Sequence, residues 1–435
     1  MSMSARLPFC PRAGCDLRIG CQAMVLGVLL WVAPFGYAEA QSAESEGQDV
    51  DWPTVIAQLQ QQLRDRPGHA QTLQQLAIAH NNYGVSLSEQ KQWNPASEQF
   101  HEAIRLDDHN TRFLTNLSNV SLHRAQDAYQ HHHDDEALHV IDEVLTVNPD
   151  LAPAYALRGE IEYGRQHLKE AQTAWQRAAE LDSTQARLLK RLNQVQQELP
   201  VESKFERLSQ AYFDLRYEEQ LERPVEFDIR DALLEARRAV GADFAYWPGY
   251  RIVVLVYSAE SFRALRQETP DWVGGQFDGK IRVPMPGRQL APEAVKRIVS
   301  HEYTHAVIHD LTSEKCPTWL NEGLAEYEGR KQGDASLAQL GKAYAEGKLL
   351  PWTQLSDQFA FSLSAETVAL GYEESYSVVR CLVDRYGFWR IRHLLKMIAE
   401  GQPWEQAFVR EFHLKLDRLD ANWREWLAEF LKSSS

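Results

Sequence analysis

Cysteine is scarce in this chain: five in 435 residues, three of them (Cys10, Cys15 and Cys21) near the N-terminus. Positive charge is short as well. Forty-six Lys and Arg stand against 61 Asp and Glu, a formal net charge of −15. Phosphate contacts need a basic surface, so this balance argues against nucleic acid as the main partner. Long apolar runs are all but missing. The run "AMVLGVLLWVA" (23–33) is short for a membrane span, and no second one follows it. The 44% hydrophobic content excludes a mainly disordered chain, and 435 residues are too many for one ordinary core.

The apolar run has the setting of an export signal. Arg6, Arg12 and Arg18 precede it, and "AEA" (38–40) ends in the small residues that a signal peptidase needs. The expectation is an exported protein, periplasmic or secreted, cleaved after Ala40 and without an integral membrane span thereafter. Cys316 and Cys381 would then remain, a pair that permits one disulfide without requiring it.

Residues 71–183 repeat themselves. "PASEQFHEAIRLDD", "DEALHVIDEVLTVNP" and "KEAQTAWQRAAELDS" align Ala96, Ala137 and Ala171, then Phe100, Ile141 and Trp175, then Ala103, Val144 and Ala178. The last period is 34 residues, from Ala137 to Ala171, and the earlier one is longer, so the second unit carries an insertion. A helix–turn–helix period of this length resembles the tetratricopeptide repeat. That resemblance implies stacked helix pairs with a concave surface that can hold a peptide or a protein partner, or serve only as a spacer. "ARLLKRLNQVQQEL" (186–199) reads as a capping helix. "HHHDDE" (131–136) reads as a solvated turn, since neighbouring histidines in a turn cannot all face one ion. The domains expected are a signal (1–40), a linker with a first helix (41–70), the array (71–200) and a second domain (202–430).

From about residue 202 the style changes. "KFERLSQAYFDLRYE" (204–218) and "YRIVVLVYS" (250–258) have strand-like runs, with a helical segment, 227–240, between them. "SAESFRALRQ" (258–267) reads as a helix with Ser258 near its N-cap. "WVGGQFDGKIRVPMP" (272–286) reads as a hairpin around "DG", its second arm demoted to an edge strand by Pro284. Such an edge can pair with an extended peptide.

The pattern that carries chemistry is "HEYTH" (301–305), in a helix expected over 291–309 with Pro292 in its first turn. His301 and His305 are one turn apart on one face, and Glu302 sits beside it. Two imidazoles with an adjacent carboxylate suit a zinc ion and a general base. A third protein ligand is needed, and "PTWLNEGLAEYE" (317–328) offers Glu322 and Glu326 on one face of a second helix. His309, near the same face, reads as a partner of the helix C-terminus or a surface residue.

H-E-x-x-H followed by W-L-N-E-G-x-A-E-Y resembles the gluzincin metallopeptidases. It is similar to the aminopeptidase N family and, more closely, to the small peptidase MA-like domains of exported bacterial proteins. The resemblance implies a multidomain chain: an N-terminal all-α tetratricopeptide-like solenoid, then an α+β zincin domain with a helical C-terminal part. It implies Zn²⁺ held by His301, His305 and Glu322, with Glu302 as the base and Glu326 as a supporting or packing residue. The gap from His305 to Glu322 is slightly shorter than in the aminopeptidase N family. "GYEESYSVVRCLVDRYG" (371–387) resembles that family's Tyr-x-x-Gly segment, which makes Tyr372 the candidate oxyanion donor. Ser375 stands in place of the glycine, and Tyr376 competes for the role. No G-x-M-E-N-like motif is present, so an amino-terminus-binding exopeptidase is not expected. Trp389, Trp404, Trp423 and Trp426 read as packing residues.

The activity these features imply is zinc-dependent hydrolysis of peptide or protein substrates. Two alternatives differ in kind: a zinc hydrolase of another amide, and a repeat-based adaptor whose zincin domain binds a partner with little turnover.

Overall fold

Small residues recur where the sequence repeats, and in the computed structural model they sit where helices touch. The structure describes residues 50–219, 224–265, 279–285, 291–332, 336–359 and 364–433. The expected export segment lies outside these residues. Among the described residues, no helix is long and apolar enough to cross a membrane.

Helix α1 (Trp52–Asp65) starts at Asp51, whose side chain accepts the Thr54 amide, with Pro53 in the first turn. Three helix pairs follow: α2 (Ala70–Glu89) with α3 (Trp93–Leu106), α4 (Thr111–Gln130) with α5 (Asp134–Val147), and α6 (Ala152–Gly164) with α7 (Leu168–Leu181). Helix α8 (Ala186–Glu202) closes the array. Ala96, Ala137 and Ala171 are all fully buried at the pair contacts. Side-chain volumes are matched across each pair. A β-carbon at Gly84 would meet the Phe100 ring at 2.8 Å, and one at Gly159 the Trp175 ring at 2.3 Å. In the middle pair the smaller Ile141 leaves room for Ala125 at the equivalent position, and both are buried in one cluster. The longer period of the second unit is absorbed by helix: α4 has 20 residues and α6 has 13, a difference of about two turns.

Each pair turns through one residue with left-handed backbone: Lys91 (φ 58), His132 (φ 58) and Gln166 (φ 62). In each turn the next amide closes back on the preceding helix: Gln92 on Leu87, His133 on Ala128 and His167 on Glu162.

The second half is built on a four-stranded sheet of order β1-β2-β3-β4. The strand-like run 204–218 is two strands, β1 (Glu206–Ser209) and β2 (Phe213–Tyr217), paired antiparallel. Helix α9 (Pro224–Phe244) crosses over to β3 (Ile252–Ser258), which lies parallel to β2. Helix α10 (Ala259–Leu265) follows, with the Ser258 hydroxyl accepting the Ser261 amide as its sequence suggests. The expected hairpin at 272–286 is not what β4 (Lys280–Met285) belongs to among the described residues. It pairs parallel with β3, Tyr257 opposite Pro284, and the first arm of that hairpin lies outside them. Among the described residues β4 is the last strand of this sheet, the edge position expected of it, and it packs against the next helix, α11 (Pro292–Thr312).

Period-two alternation divides the sheet's two faces. Ile252, Val254, Val256, Ile281, Val283 and Met285 join α9 and α11 in the main core. On the other face Val253, Leu255 and Tyr257 pack with Phe205, Phe262 and Leu265. Lys280 and Arg282 of β4 turn to the array. Lys280 Nζ lies 3.4 Å from the Tyr163 ring centre and donates to Gln166 Oε1 at 2.6 Å. Arg282 donates to Tyr163 Oη at 2.8 Å and pairs with Glu198 at 3.1 Å. Tyr257 donates to Glu202 at 2.6 Å. The two halves thus share a buried polar seam in which each charge has a partner, the condition under which burial of charge is tolerated.

Helix α12 (Thr318–Arg330) follows α11. The rest is helical as expected: α13 (Ala338–Ala345), a 3₁₀ stretch (Trp352–Phe359), α14 (Ala365–Tyr386), α15 (Phe388–Ala399), α16 (Trp404–Phe412) and α17 (Leu416–Ser433). Trp423 is fully buried, Trp404 meets Trp319 edge-on, and Trp426 stacks on Phe430. Trp389 departs from its expected packing role: it is 45% exposed, with Arg390 over its ring. Cys316 and Cys381 are both free thiols in the core.

Candidate metal centre

Helix α11 begins with Pro292 and ends where Ser313 turns left-handed (φ 48), three residues beyond the expected end. Its buried face, Val295, Val299, Tyr303, Ala306 and Val307, packs into the main core. The four-residue spacing then sets His301 above His305, with their Nε2 atoms 3.1 Å apart and the rings nearly perpendicular at 83°.

Helix α12 brings the third group. It starts at Pro317, whose fixed φ suits a helix entry, and Trp319 anchors it among Trp352, Trp404 and Phe408. It lies close to both neighbours because glycines face them. A β-carbon at Gly329 would meet the Arg297 carbonyl oxygen at 3.1 Å, and one at Gly323 the Ser375 carbonyl oxygen at 2.6 Å. In this position Glu322 Oε2 lies 3.4 Å from His305 Nε2 and 3.7 Å from His301 Nε2. His301, His305 and Glu322 are the cluster of possible metal ligands found among the described residues, their atoms within 4.8 Å of one another.

The far ring nitrogens are held from outside. His305 Nδ1 is 3.0 Å from Asn321 Oδ1, and His301 Nδ1 is 3.2 Å from Glu326 Oε1. With Nδ1–H donating to those oxygens, the nitrogen left to lose its proton and offer a lone pair is the inward Nε2 of each ring, the tautomer that a metal ligand requires. Arg330 Nε donates to the other oxygen of Glu326 at 2.9 Å. Burial would raise the Glu326 carboxyl, but His301 and Arg330 outweigh it and hold it down at about 2. Burial likewise opposes charge on His305, yet Glu322, Glu302 and Asn321 lift it to about 9. His301 moves in the same direction through Glu326 against its own burial. The site is an electrostatic sink for a cation.

A zinc ion fits this set on an observation independent of motif. Glu322 Oε2 is buried, makes no hydrogen bond of normal geometry and faces the two Nε2 atoms at 3.4 and 3.7 Å, so a cation set among the three would satisfy them together. Two imidazole nitrogens and one carboxylate oxygen, with the rest of the coordination sphere open, match a catalytic zinc site.

Glu302 is 5% exposed, and its charge acts on both imidazoles. Tyr372 stands on α14 with its ring 6.4 Å from that of His301 and edge-on to Phe359. Tyr376, its competitor, lies under the Arg330 guanidinium at 4.6 Å, placed toward the Glu326 side. Geometry therefore brings Tyr372 to the cluster. Ser375, standing where the resembled family has glycine, is fully buried against Gly323.

Sequence reasoning missed Asn321 and Arg330. Asn321 was on view in the N-E-G triplet, and Arg330 is one turn after Glu326, but neither spacing says which ring nitrogen is held. The histidine run is the exposed inter-helix turn expected of it. His131, His132 and His133 are all exposed, but His132 also makes a contact that the spacing did not indicate. Its ring stacks on Tyr250 at 3.5 Å, and Nε2 lies 3.5 Å from Asp310 Oδ1. His309 pairs with Glu314 at 3.0 Å and lies beside Asp310 in the last turn of α11.

Residues 268–429 match the Peptidase MA superfamily, a stretch that includes α11, α12 and α14 and so the whole cluster. No curated protein matches the chain. Among solved structures, the first tetratricopeptide domain of Spaghetti (RPAP3) bound to the HSP90 peptide SRMEEVD is 20% identical, with a TM-score of 0.22, covering 29% of this chain and 94% of that one. MamA (41-end) from Desulfovibrio magneticus RS-1 is 21% identical, with a TM-score of 0.22, covering 34% of this chain and 76% of that one. Scores this low carry no weight for the fold, which rests on the helix pairs themselves.

Proposed function

We propose that this chain is a zinc-dependent hydrolase of peptide bonds. The observation that carries the reading is the buried Oε2 of Glu322, without a hydrogen bond of normal geometry, facing two converging imidazole nitrogens. His301 and His305 hold the ion through Nε2, and Glu322 holds it through a carboxylate oxygen. Zinc, when bound, supplies a Lewis acid that polarises a carbonyl and makes water acidic. Glu302 takes the proton of the attacking water and returns it to the leaving nitrogen. The Tyr372 hydroxyl donates to the carbonyl oxygen as charge develops there. Asn321 and Glu326 keep the two rings in the required tautomer and orientation. The substrate lies as an extended chain along β4, the last described strand of the sheet, beside α11. Export, with cleavage after Ala40, belongs to the same proposal and is checked by N-terminal sequencing of the protein recovered outside the cytoplasm.

The test is zinc content by mass spectrometry, together with hydrolysis of a fluorogenic peptide pool, for wild type, Glu302→Gln and Glu322→Ala. The expected pattern is one zinc and turnover in wild type, zinc without turnover in Glu302→Gln, and neither in Glu322→Ala. Wild type that cannot be loaded with zinc, or a Glu302→Gln variant as active as wild type, refutes the reading.

A further inference from the structure

We infer that His132, which belongs to the repeat array, is a positioning residue for the helix that carries His301 and His305. Its target is Asp310, in the last turn of α11. A carboxylate there is electrostatically misplaced, because the C-terminal end of a helix carries partial negative charge. The Asp310 side chain is also only 3% exposed. It persists because donors from three places surround it: Tyr250 Oη at 2.9 Å, Tyr246 Oη at 3.1 Å, His309 Nδ1 at 3.4 Å and His132 Nε2 at 3.5 Å. Three of these come from the second half of the chain. His132 alone comes from the array.

The His132 ring also lies nearly parallel to that of Tyr250, 19° between planes with centroids 3.5 Å apart. It therefore covers the Tyr250–Asp310 hydrogen bond as well as adding a donor, and a covered bond is stronger than one in water. The backbone presents His132 for this purpose. It holds the left-handed position of the second turn, the same position from which Gln166 of the third turn reaches Lys280 and Glu202. Two successive turns of the array thus dock on the second half: one on the sheet, the other on the end of α11. Asp310 lies five residues beyond His305, about 7.5 Å along the helix axis. Loosening that last turn reaches the metal ligands through one turn of helix.

The inference rests on the zinc-hydrolase reading only for its consequence at the metal, so the experiment separates the two. Hydrogen exchange is measured on metal-free full-length protein for wild type, His132→Ala, His132→Phe and His131→Ala, and zinc affinity is measured by competition with a chromophoric chelator. In His132→Ala the amides at the end of α11 exchange about tenfold faster, while those of β3 keep wild-type rates. His132→Phe, which keeps the stack, shows a smaller increase, and His131→Ala shows none. Zinc binds about three- to tenfold more weakly to His132→Ala than to wild type, less than the roughly 10- to 100-fold lost with a group that touches a ligand directly, because His132 acts through a turn of helix. Unchanged exchange at the end of α11, or exchange accelerated uniformly through β3 as well, overturns the inference. Wild type that binds no zinc refutes the hydrolase reading, and the exchange rates still decide the role of His132.

Discussion

Replacing Gly323 by alanine places a methyl group 2.6 Å from the carbonyl oxygen and 2.8 Å from the carbonyl carbon of Ser375. Two effects compete. Alanine is the better helix former by about 1 kcal/mol and also narrows the unfolded ensemble, so propensity alone predicts stabilisation. Against this, the clash is with the backbone of α14, which no rotamer change can move aside. Relief requires α12 and α14 to part by several tenths of an ångström, and overpacking of this kind costs about 1–3 kcal/mol. Sterics therefore win, by about 1–2 kcal/mol at the upper end of that range. In a unit of 150–250 residues that lowers Tm by roughly 2–8 °C. Gly341 is the control. It too is helical, in α13, but a β-carbon there meets nothing within 4 Å, so Gly341→Ala should be stabilising by up to about 1 kcal/mol. Both variants are melted under circular dichroism with chelator present, which removes stabilisation by bound metal. Zinc affinity is then measured separately, because α12 also carries Glu322, and Gly323→Ala should weaken it. A Gly323→Ala protein that melts at or above wild type, or in step with Gly341→Ala, refutes the reasoning from close helix approach.

Asn321→Ala and Glu326→Gln should each weaken zinc binding about 10- to 100-fold with little change in far-ultraviolet dichroism, since each releases one ring nitrogen of a ligand; a chelator competition checks this. Native protein should react slowly with a thiol reagent and show no shift in Tm with reductant. Both cysteines are free, and burial pushes the Cys316 thiol up and that of Cys381 to about 12. Stability should fall at both pH extremes through one cluster. Burial would raise Asp310, but His132 and His309 outweigh it and depress it from 3.8 to about 2, so its contribution is present above pH 3.8 and lost as pH falls toward 2. That contribution is roughly 2 kcal/mol. Burial opposes the charge on His309, but Asp310 and Glu314 raise it from 6.5 to about 9, so its contribution is full below pH 6.5 and lost as pH rises through 9. Urea midpoints at acid, neutral and alkaline pH should show both limbs, and Asp310→Asn should flatten the acid one.

What the sequence by itself determined are the features that repeat within a turn or two of helix. The spacing of "HEYTH" placed two imidazoles on one face, and Glu322 and Glu326 fell one turn apart on the next helix. The aligned positions of Ala96, Ala137 and Ala171 placed the buried seam of every repeat. These follow from the 3.6-residue period, which is local and needs no knowledge of what lies opposite. Only the tertiary structure decided the choices that depend on another element. It separated Tyr372 from Tyr376, because α14 presents one toward the imidazoles and the other toward Arg330. It gave Nδ1 of His301 to Glu326 and Nδ1 of His305 to Asn321. It split 204–218 into two strands and laid β4 parallel to β3. It also set one histidine of a solvent-facing run, His132, against Tyr250 and Asp310 at the end of α11. Each of these joins residues far apart in the chain, and in one sequence such pairs leave no periodic trace. They exist only once packing has fixed which faces meet.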